Sequence, residues 1–217
     1  MGLFGHLDFV QLLVGFTVLV GSLTVHEAAH AWTADRLGDP TARLLGRVSF
    51  NPAVHVDPIG TILFPLIAML TSLPLIGWAK PVPVNVRNLR EPRRDYVLVA
   101  AAGPASNLML AVAAAIAWQA IRASSASPGA LATDNAAVDL LFTAIVVNVL
   151  LAVFNMIPVP PLDGGNVLAG LLPLRLAASY DRVVRPWGFV ILYGLMLSGL
   201  LSAIMMPVAN SILSWML

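Results

Sequence analysis

Residues 9–37, FVQLLVGFTVLVGSLTVHEAAHAWTADRL, decide the fold of this 217-residue chain. The apolar run starts at about Leu7 and ends at the helix breaker Gly38-Asp39-Pro40. It exceeds the roughly 20 residues that a helix needs to cross a bilayer. No Lys or Arg precedes it, so it is unlike a signal peptide and is predicted to be a retained membrane helix.

The composition of the whole chain is that of a membrane protein. Hydrophobic residues make up 59% and mean hydropathy is +0.86, whereas only 11% of residues are charged. Soluble domains carry about a quarter charged residues. The net charge of +1 gives no reason to expect a nucleic-acid partner. Cysteine is absent, so a metal site would have to use His, Asp and Glu.

The apolar runs predict an all-α polytopic protein with about four to six transmembrane helices and short re-entrant or β-strand elements near the active site. Residues 1–217 are expected to form a single integral domain, with the core motifs in residues 10–170 and a C-terminal apolar helical region in residues 186–217. Helices are predicted at about 7–37, 96–118 and 138–157, a short strand pair at 41–51, and a segment broken by glycine and proline at 59–78.

The helix contains a metal-binding pattern, His26-Glu27-Ala28-Ala29-His30. Two imidazoles four residues apart project from one helix face and can hold one metal ion, with Glu27 beside them to reach a metal-bound water. Without a metal, the same residues would be polar groups facing a bundle interior. Ionisable groups at membrane depth are costly and usually mark function, which favours the metal site.

A catalytic zinc site has three protein ligands as a rule, so a third must come from elsewhere. The candidates are His55, Asp57 and Asp163. Asp163 follows a helix that ends at a proline cluster, and Gly164 and Gly165 permit tight turns that can aim its carboxylate inward. An Asp that caps a helix in a polar turn would look the same.

Three motifs together resemble the site-2 protease family of intramembrane zinc metalloproteases. They are His26-Glu27-x-x-His30, then Gly103-Pro104-x-x-Asn107, then Asn155-x-x-Pro158-x-x-Pro161-Leu162-Asp163-Gly164-Gly165. The resemblance implies one Zn²⁺ per chain held by His26, His30 and Asp163. It also implies that Glu27 is the general base and that Asn155 contacts the substrate or the reacting carbonyl. Without a PDZ-like or nucleotide-sensing insertion, the chain would be a minimal member.

Three further residues are candidate groups behind the ligands or on the substrate side: His55, Asp57 and Asn107. Residues 51–58 resemble a motif of a compact bacterial branch of the family, but the sequence does not give its role. His55 as a capped turn histidine would need no function.

Residues 80–85, Lys-Pro-Val-Pro-Val-Asn, alternate proline with valine. Pro81 and Pro83 have no amide N–H, so one side of the extended segment lacks donors, while the amides of Val82 and Val84 point to the other side. This pattern suits a strand at the edge of a sheet. A substrate helix hides its carbonyls until it unwinds, and such an edge could hold the unwound segment. The alternative is a rigid extended linker.

The sequence therefore predicts a protease that cuts peptide bonds within or near transmembrane segments, with a transmembrane protein or peptide as substrate and the lipid bilayer as its environment. The alternative is a metal-binding membrane protein or carrier without hydrolytic activity. Glu27 separates the two, because a carrier has no use for a carboxylate that is not a ligand. Nothing in the sequence predicts an oligomeric state.

Charge predicts the orientation in the cell (inner) membrane. If residues 59–78 enter and leave on one side, eleven of the twelve Lys and Arg residues share that side, and only Arg122 lies opposite. The positive-inside rule then predicts cytoplasmic Lys/Arg loops and an external N-terminus.

Overall fold

The computed structural model describes residues 9–64, 67, 77–124 and 136–217, and within these ranges every regular element is helical. The α-helices are α1 Phe9–Arg36, α2 Thr41–Leu44, α3 Pro92–Ser124, α4 Ala136–Asn155, α5 Asp163–Leu171, α6 Leu174–Val183, α7 Gly188–Leu197 and α8 Leu200–Met216. A π-helical turn spans Pro58–Leu63, and 3₁₀ turns span Pro52–Val54, Val86–Asn88 and Arg185–Trp187.

Helices α1, α3 and α4 are long and apolar enough to cross a membrane. A fourth crossing is present among the described residues if α6 to α7 and α8, which are bent by 78° at a short break, form one span. The break contains Gly199 at φ +76°, a left-handed conformation that glycine adopts without strain. The prediction of an all-α polytopic membrane protein is confirmed.

Helix α3 is the centre of the bundle and packs against α1, α4 and α5, while α8 packs against α4. Small buried side chains on α3 let α4 approach closely, as is usual between membrane helices. Ala111, Ala114 and Ala115 on α3 face Ile145 and Val149 on α4.

The chain between α1 and α3 leaves the bundle and returns to the same place. The amide of Arg90 donates to the carbonyl of Leu37 at 3.1 Å, so the end of α1 lies beside the approach to α3. Within that excursion the amide of Trp78 donates to Gly60 O at 3.1 Å. A single pass of residues 59–78 would separate these atoms by about 30 Å of bilayer core. The described ends therefore have the re-entrant geometry, although residues 65–66 and 68–76 lie outside the described part.

The predicted strand pair at residues 41–51 is wrong. Thr41–Leu44 forms one helical turn, because Asp39 accepts a hydrogen bond from the Thr41 amide at 3.2 Å and starts the turn at Pro40. Gly46, at φ +69°, then turns the chain. The alternating polar and apolar residues therefore do not form a strand, and the described residues contain no strand with which they could pair.

Residues 80–85 are extended and are anchored at both ends. Arg47, a buried side chain, donates to the Lys80 carbonyl at 2.5 Å, and the Lys80 amide donates to His55 O at 2.8 Å. At the other end the Asn85 amide donates to Asp39 Oδ2 at 2.7 Å. The segment is thus fixed against the end of α1 without a strand partner in the described chain.

Asp39 is completely buried just beyond α1. Its Oδ1 accepts from the Thr41 amide, the Thr41 hydroxyl and the Asn88 side chain, while Oδ2 accepts from Asn85. Burial would raise the pKa of Asp39, but the hydrogen bonds from Thr41, Asn88 and Asn85 outweigh it and hold the pKa below its ordinary value of 3.8. The ionised carboxylate therefore stabilises the fold at pH 7.

We expect Asp39→Asn to lower the free energy of unfolding by about 1–3 kcal/mol at pH 7, because the new amide NH₂ faces the Asn85 amide and leaves a buried donor unpaired. Since the folded-state pKa is depressed, the contribution of Asp39 is present above its unfolded pKa and disappears as pH falls through the lower folded-state pKa. The destabilisation should therefore shrink in strong acid. Thermal unfolding of the detergent-solubilised protein across pH measures both effects.

Asp35→Asn is the matched control, because Asp35 pairs with an Arg43 side chain that is 59% exposed. Exposed pairs contribute little to stability. Equal unfolding midpoints for the two variants at pH 7 would contradict the role assigned to Asp39.

Candidate active site

Helix α1 places His26 and His30 one turn apart on its buried face. Their relative exposures are 3% and 8%, and their Nε2 atoms lie 3.0 Å apart. Because the spacing is four residues, both rings project from the same side of the helix toward the same point. The pairing predicted from the sequence is present in the structure.

Each imidazole uses its other nitrogen to contact helix α3. His30 Nδ1 lies 2.7 Å from the carbonyl oxygen of Val99, and His26 Nδ1 lies 2.6 Å from Asn107 Oδ1. A backbone carbonyl only accepts, so the proton of neutral His30 is on Nδ1 and its Nε2 carries a lone pair. Metal-binding histidines are commonly oriented by such contacts.

Asp163 reaches the two imidazoles from the first residue of α5. Its Oδ2 lies 3.1 Å from His26 Nε2 and 3.4 Å from His30 Nε2. The turn before it is tightly folded, since a Cβ on Gly164 would lie 2.3 Å from the Met156 carbonyl oxygen. The glycine therefore lets the chain after α4 double back and deliver the carboxylate to the histidines.

The three atoms fit a zinc ion. Two ligands of tetrahedral zinc at 2.0–2.1 Å lie about 3.3 Å apart, and the observed separations are 3.0, 3.1 and 3.4 Å. Asp163 Oδ2 is buried and accepts no hydrogen bond from any described residue. A carboxylate oxygen facing imidazole lone pairs at these distances is repulsive unless a cation is shared. Of the described residues, His26, His30 and Asp163 form the group able to hold a metal.

Glu27 lies beside this group but is not part of it. The carboxylate is buried, and its Oε2 accepts from the Val82 amide at 3.1 Å. Glu27 and the three candidate ligands line one cavity of about 540 Å³, whose other walls are largely apolar. The apolar wall includes Leu23, Val82, Val84, Leu151, Phe154, Phe189 and Leu192.

The structure separates the other sequence candidates. Asn107 lies directly behind His26, as its contact shows. Asn155 lines the cavity, but its Nδ2 donates to the Leu151 carbonyl at 3.0 Å. His55 and Asp57 are outside the cavity lining: His55 Nε2 contacts Ser49 O at 2.8 Å, and Asp57 caps the π-helical turn through the amides of Ile59 and Gly60.

Sequence reasoning missed three contributors to this site. Val99 acts through its carbonyl, which no pattern of side chains reveals. Gly103 was noticed only as part of a motif, yet a Cβ there would lie 2.4 Å from His30 Nε2 and 2.5 Å from His26 Nε2. Asn148, a polar residue within the apolar helix α4, bonds to Asn107 and carried a usable signal, because polar groups inside membrane helices usually have a role.

The model of Peptidase family M50 matches residues 14–197, which is most of the chain. This chain belongs to peptidase family M50. As a member of that family it is a site-2-protease-like zinc metalloprotease, integral to a membrane.

Two relatives are similar to this chain over most of their own length. YwhC of Bacillus subtilis (strain 168), named as a candidate zinc metalloprotease, is 38% identical over 194 residues, covering 89% of this chain and 84% of YwhC. Rip2 of Mycolicibacterium smegmatis, named likewise, is 29% identical over 206 residues, covering 88% of this chain and 68% of Rip2. No solved structure matches the chain significantly.

We expect Gly103→Ala to reduce zinc occupancy of the purified protein at least about tenfold, because the methyl group would occupy space that both Nε2 atoms need. Alanine favours a helix more than glycine does, so the helix itself should remain folded. Elemental analysis gives the zinc content, and circular dichroism reports the helix.

Gly21→Ala is the matched control, since nothing lies within 4 Å of a Cβ at that position of α1. It should keep its zinc. A folded Gly103→Ala protein with full zinc content would show that α3 does not approach the ligands as closely as described.

Proposed function

We propose that this protein is an intramembrane endopeptidase, which hydrolyses peptide bonds within or near transmembrane segments of membrane proteins and so can carry out regulated intramembrane proteolysis. The observation that carries the proposal is the group formed by His26, His30 and Asp163 beside Glu27 in one cavity. Two of the ligands and the carboxylate belong to α1, a helix apolar enough to cross a bilayer. A peptide bond must therefore reach the cavity at membrane depth.

One Zn²⁺ per chain would be held by His26, His30 and Asp163. Bound there, zinc supplies a Lewis acid that polarises a peptide carbonyl and activates water for attack. The two imidazoles bind as neutral donors, and the Asp163 carboxylate contributes the negative charge. A catalytic zinc site keeps one position for water or substrate, and these three residues line the same cavity as Glu27, where that position would be accessible.

Glu27 is proposed as the general base. Its carboxylate takes the proton of the attacking water and passes it to the departing amine. The Val82 amide donates to one carboxylate oxygen and holds the group in place, so the other oxygen is left to take the proton. A metal carrier would have no need of a buried carboxylate outside the ligand group.

Asn155 is proposed to stabilise the oxyanion that develops on the reacting carbonyl. It lies on the cavity wall one turn from Leu151, whose carbonyl its side-chain NH₂ contacts in the structure. Rotation of the side chain would exchange that carbonyl for the substrate oxygen.

Residues 80–85 are proposed to hold the unwound substrate. The amide of Val82 is already taken by Glu27, whereas the amide of Val84 donates to no acceptor in the part of the chain that the structure describes. In an extended backbone, amides two residues apart face the same side, so the Val84 amide faces the cavity side. The substrate backbone would pair with Val84 while its apolar side chains contact the cavity wall.

We propose that the protein lies in the cell inner membrane with its N-terminus external. The contact between Leu37 and Arg90 keeps the charged stretches around them on one side of the bundle. Eleven of the twelve Lys and Arg residues then share that side, which the positive-inside rule assigns to the cytoplasm.

We expect Glu27→Gln to lower cleavage by about a hundredfold or more and to leave zinc bound, because it removes proton transfer but no ligand. The assay uses purified single-pass membrane proteins and signal peptides in proteoliposomes, with fragments identified by mass spectrometry. Glu91→Gln is the control, since Glu91 is 62% exposed, pairs with Arg94 and is not part of the cavity lining. Cleavage by Glu27→Gln at the wild-type rate, or loss of its zinc, would overturn the assignment.

We expect Val84→Pro to lower kcat/KM about two- to tenfold, the effect of one lost hydrogen bond to the substrate backbone. Zinc content should not change, because Val84 is not one of the proposed ligands. Val84 packs against the buried cluster of Ala34, Leu89 and Val99, so the thermal unfolding midpoint is measured to show that the variant is folded. Val84→Ala keeps the amide and is the control for the lost side chain. Wild-type turnover by folded Val84→Pro would leave residues 80–85 as a rigid linker.

A further inference from the structure

A chain of hydrogen bonds continues from His26 into the bundle beyond the metal site. Asn107 Oδ1 contacts His26 Nδ1 at 2.6 Å, and Asn107 Nδ2 donates to Asn148 Oδ1 at 2.9 Å. Asn148 Nδ2 in turn donates to the Ser22 hydroxyl and to the Ala144 carbonyl, both at 2.9 Å. The side chains of Asn107, Asn148 and Ser22 are 5% exposed or less. Their hydrogen bonds connect helices α1, α3 and α4.

The direction of every bond in this chain is fixed from its far end. Ala144 offers a backbone carbonyl, which only accepts, so the NH₂ of Asn148 must face it and the oxygen of Asn148 must face Asn107. Asn107 therefore turns its own NH₂ toward Asn148, where it also lies 3.4 Å from the Ser22 carbonyl. The oxygen of Asn107 is left for His26, whose Nδ1 must carry the proton.

The opposite direction would disable the ligand. If the amide of Asn107 were reversed, its NH₂ would face His26 Nδ1, and the neutral ring would have to carry its proton on Nε2. That is the atom 3.1 Å from Asp163, where the metal ion belongs. A proton there competes directly with zinc, since an imidazole binds metal through an unprotonated nitrogen.

We infer that Asn148 is a positioning residue of the metal site: it fixes the amide of Asn107 and, through it, keeps the proton of His26 on Nδ1. This inference rests on the proposed metal site, but the state of the His26 ring can be measured without metal. In the bilayer interior no water is available to satisfy a misplaced amide, so the wrong orientation leaves polar groups unpaired. Groups that orient metal-binding histidines contribute about ten- to a hundredfold in metal affinity.

The test replaces Asn148 with leucine, which is similar in size and makes no hydrogen bonds. We expect Asn148→Leu to weaken zinc binding about ten- to a hundredfold in a chelator competition. In the metal-free protein at a pH of about 8.5, ¹⁵N NMR of histidine-labelled samples should show His26 gaining the Nε2-protonated form. Thr143→Val on the same helix is the control, because the half-buried Thr143 takes no part in this series of hydrogen bonds and its hydroxyl donates to Asp139 O.

A double substitution separates positioning from general destabilisation. Because Asn148 acts through Asn107, the double variant Asn107→Leu/Asn148→Leu should bind zinc as weakly as Asn107→Leu alone. Losses of zinc affinity that add would overturn the inference, as would an unchanged His26 ring in Asn148→Leu. Asn148→Ala carries the same expectations if the leucine variant does not fold. If the wild-type protein binds no zinc, the proposed function fails, while the NMR comparison still decides whether Asn148 sets the His26 proton.

Discussion

The close approach of helix α3 to helix α1 at Gly103 is the constraint on which the rest of the site depends. A Cβ on Gly103 would lie 2.4 Å from His30 Nε2 and 2.5 Å from His26 Nε2, so only a glycine lets the backbone of α3 lie this close to both rings. That proximity brings the Val99 carbonyl and the Asn107 side chain to the two Nδ1 atoms. Contacts with α3 thus fix the Nδ1 side of both imidazoles, and their Nε2 atoms face Asp163. A single glycine permits the ligand geometry and its orienting contacts together.

The second constraint is that the segment of residues 80–85 is tied directly to α1, the helix that carries the proposed base. Its Val82 amide contacts Glu27, and its Asn85 amide contacts Asp39 just beyond the same helix. Glu27 lies within α1 and Asp39 lies three residues beyond its end at Arg36, so the segment runs alongside the end of α1. The proposed substrate edge and the proposed base are therefore held in one register, and a displacement of the segment would also withdraw the hydrogen bond from Glu27.

The sequence predicted which candidate residues lie together only where local spacing decides it. His26, Glu27 and His30 follow from helical geometry alone, whereas Asp163 could be preferred over His55 and Asp57 only through a family resemblance, because the turn that delivers it depends on the packing of Gly164 against Met156. The strand pair at residues 41–51 was wrong because a buried carboxylate, Asp39, organises that region instead of a sheet. Val99 could not be assigned from sequence, because it acts through its backbone carbonyl on a residue 69 positions away. Asn148 is recognisable as a polar residue in an apolar helix, but its pairing with Asn107, 41 positions away, depends on the fold.

The contact between His30 and Asp163 also determines the direction of the helices. His30 lies close to the end of α1 at Arg36, and Asp163 lies a short turn beyond the end of α4 at Asn155. Since their ligand atoms are 3.4 Å apart, both helices end on the same side of the bundle. Helix α3 begins on that side, because the Arg90 amide before it bonds to Leu37 after α1. The chain between α1 and α3 therefore leaves and returns on one side of the bundle. The hydrogen bond between Trp78 and Gly60 agrees with this topology. An odd number of crossings between α1 and α3 would instead place Asp163 on the opposite side from both histidines.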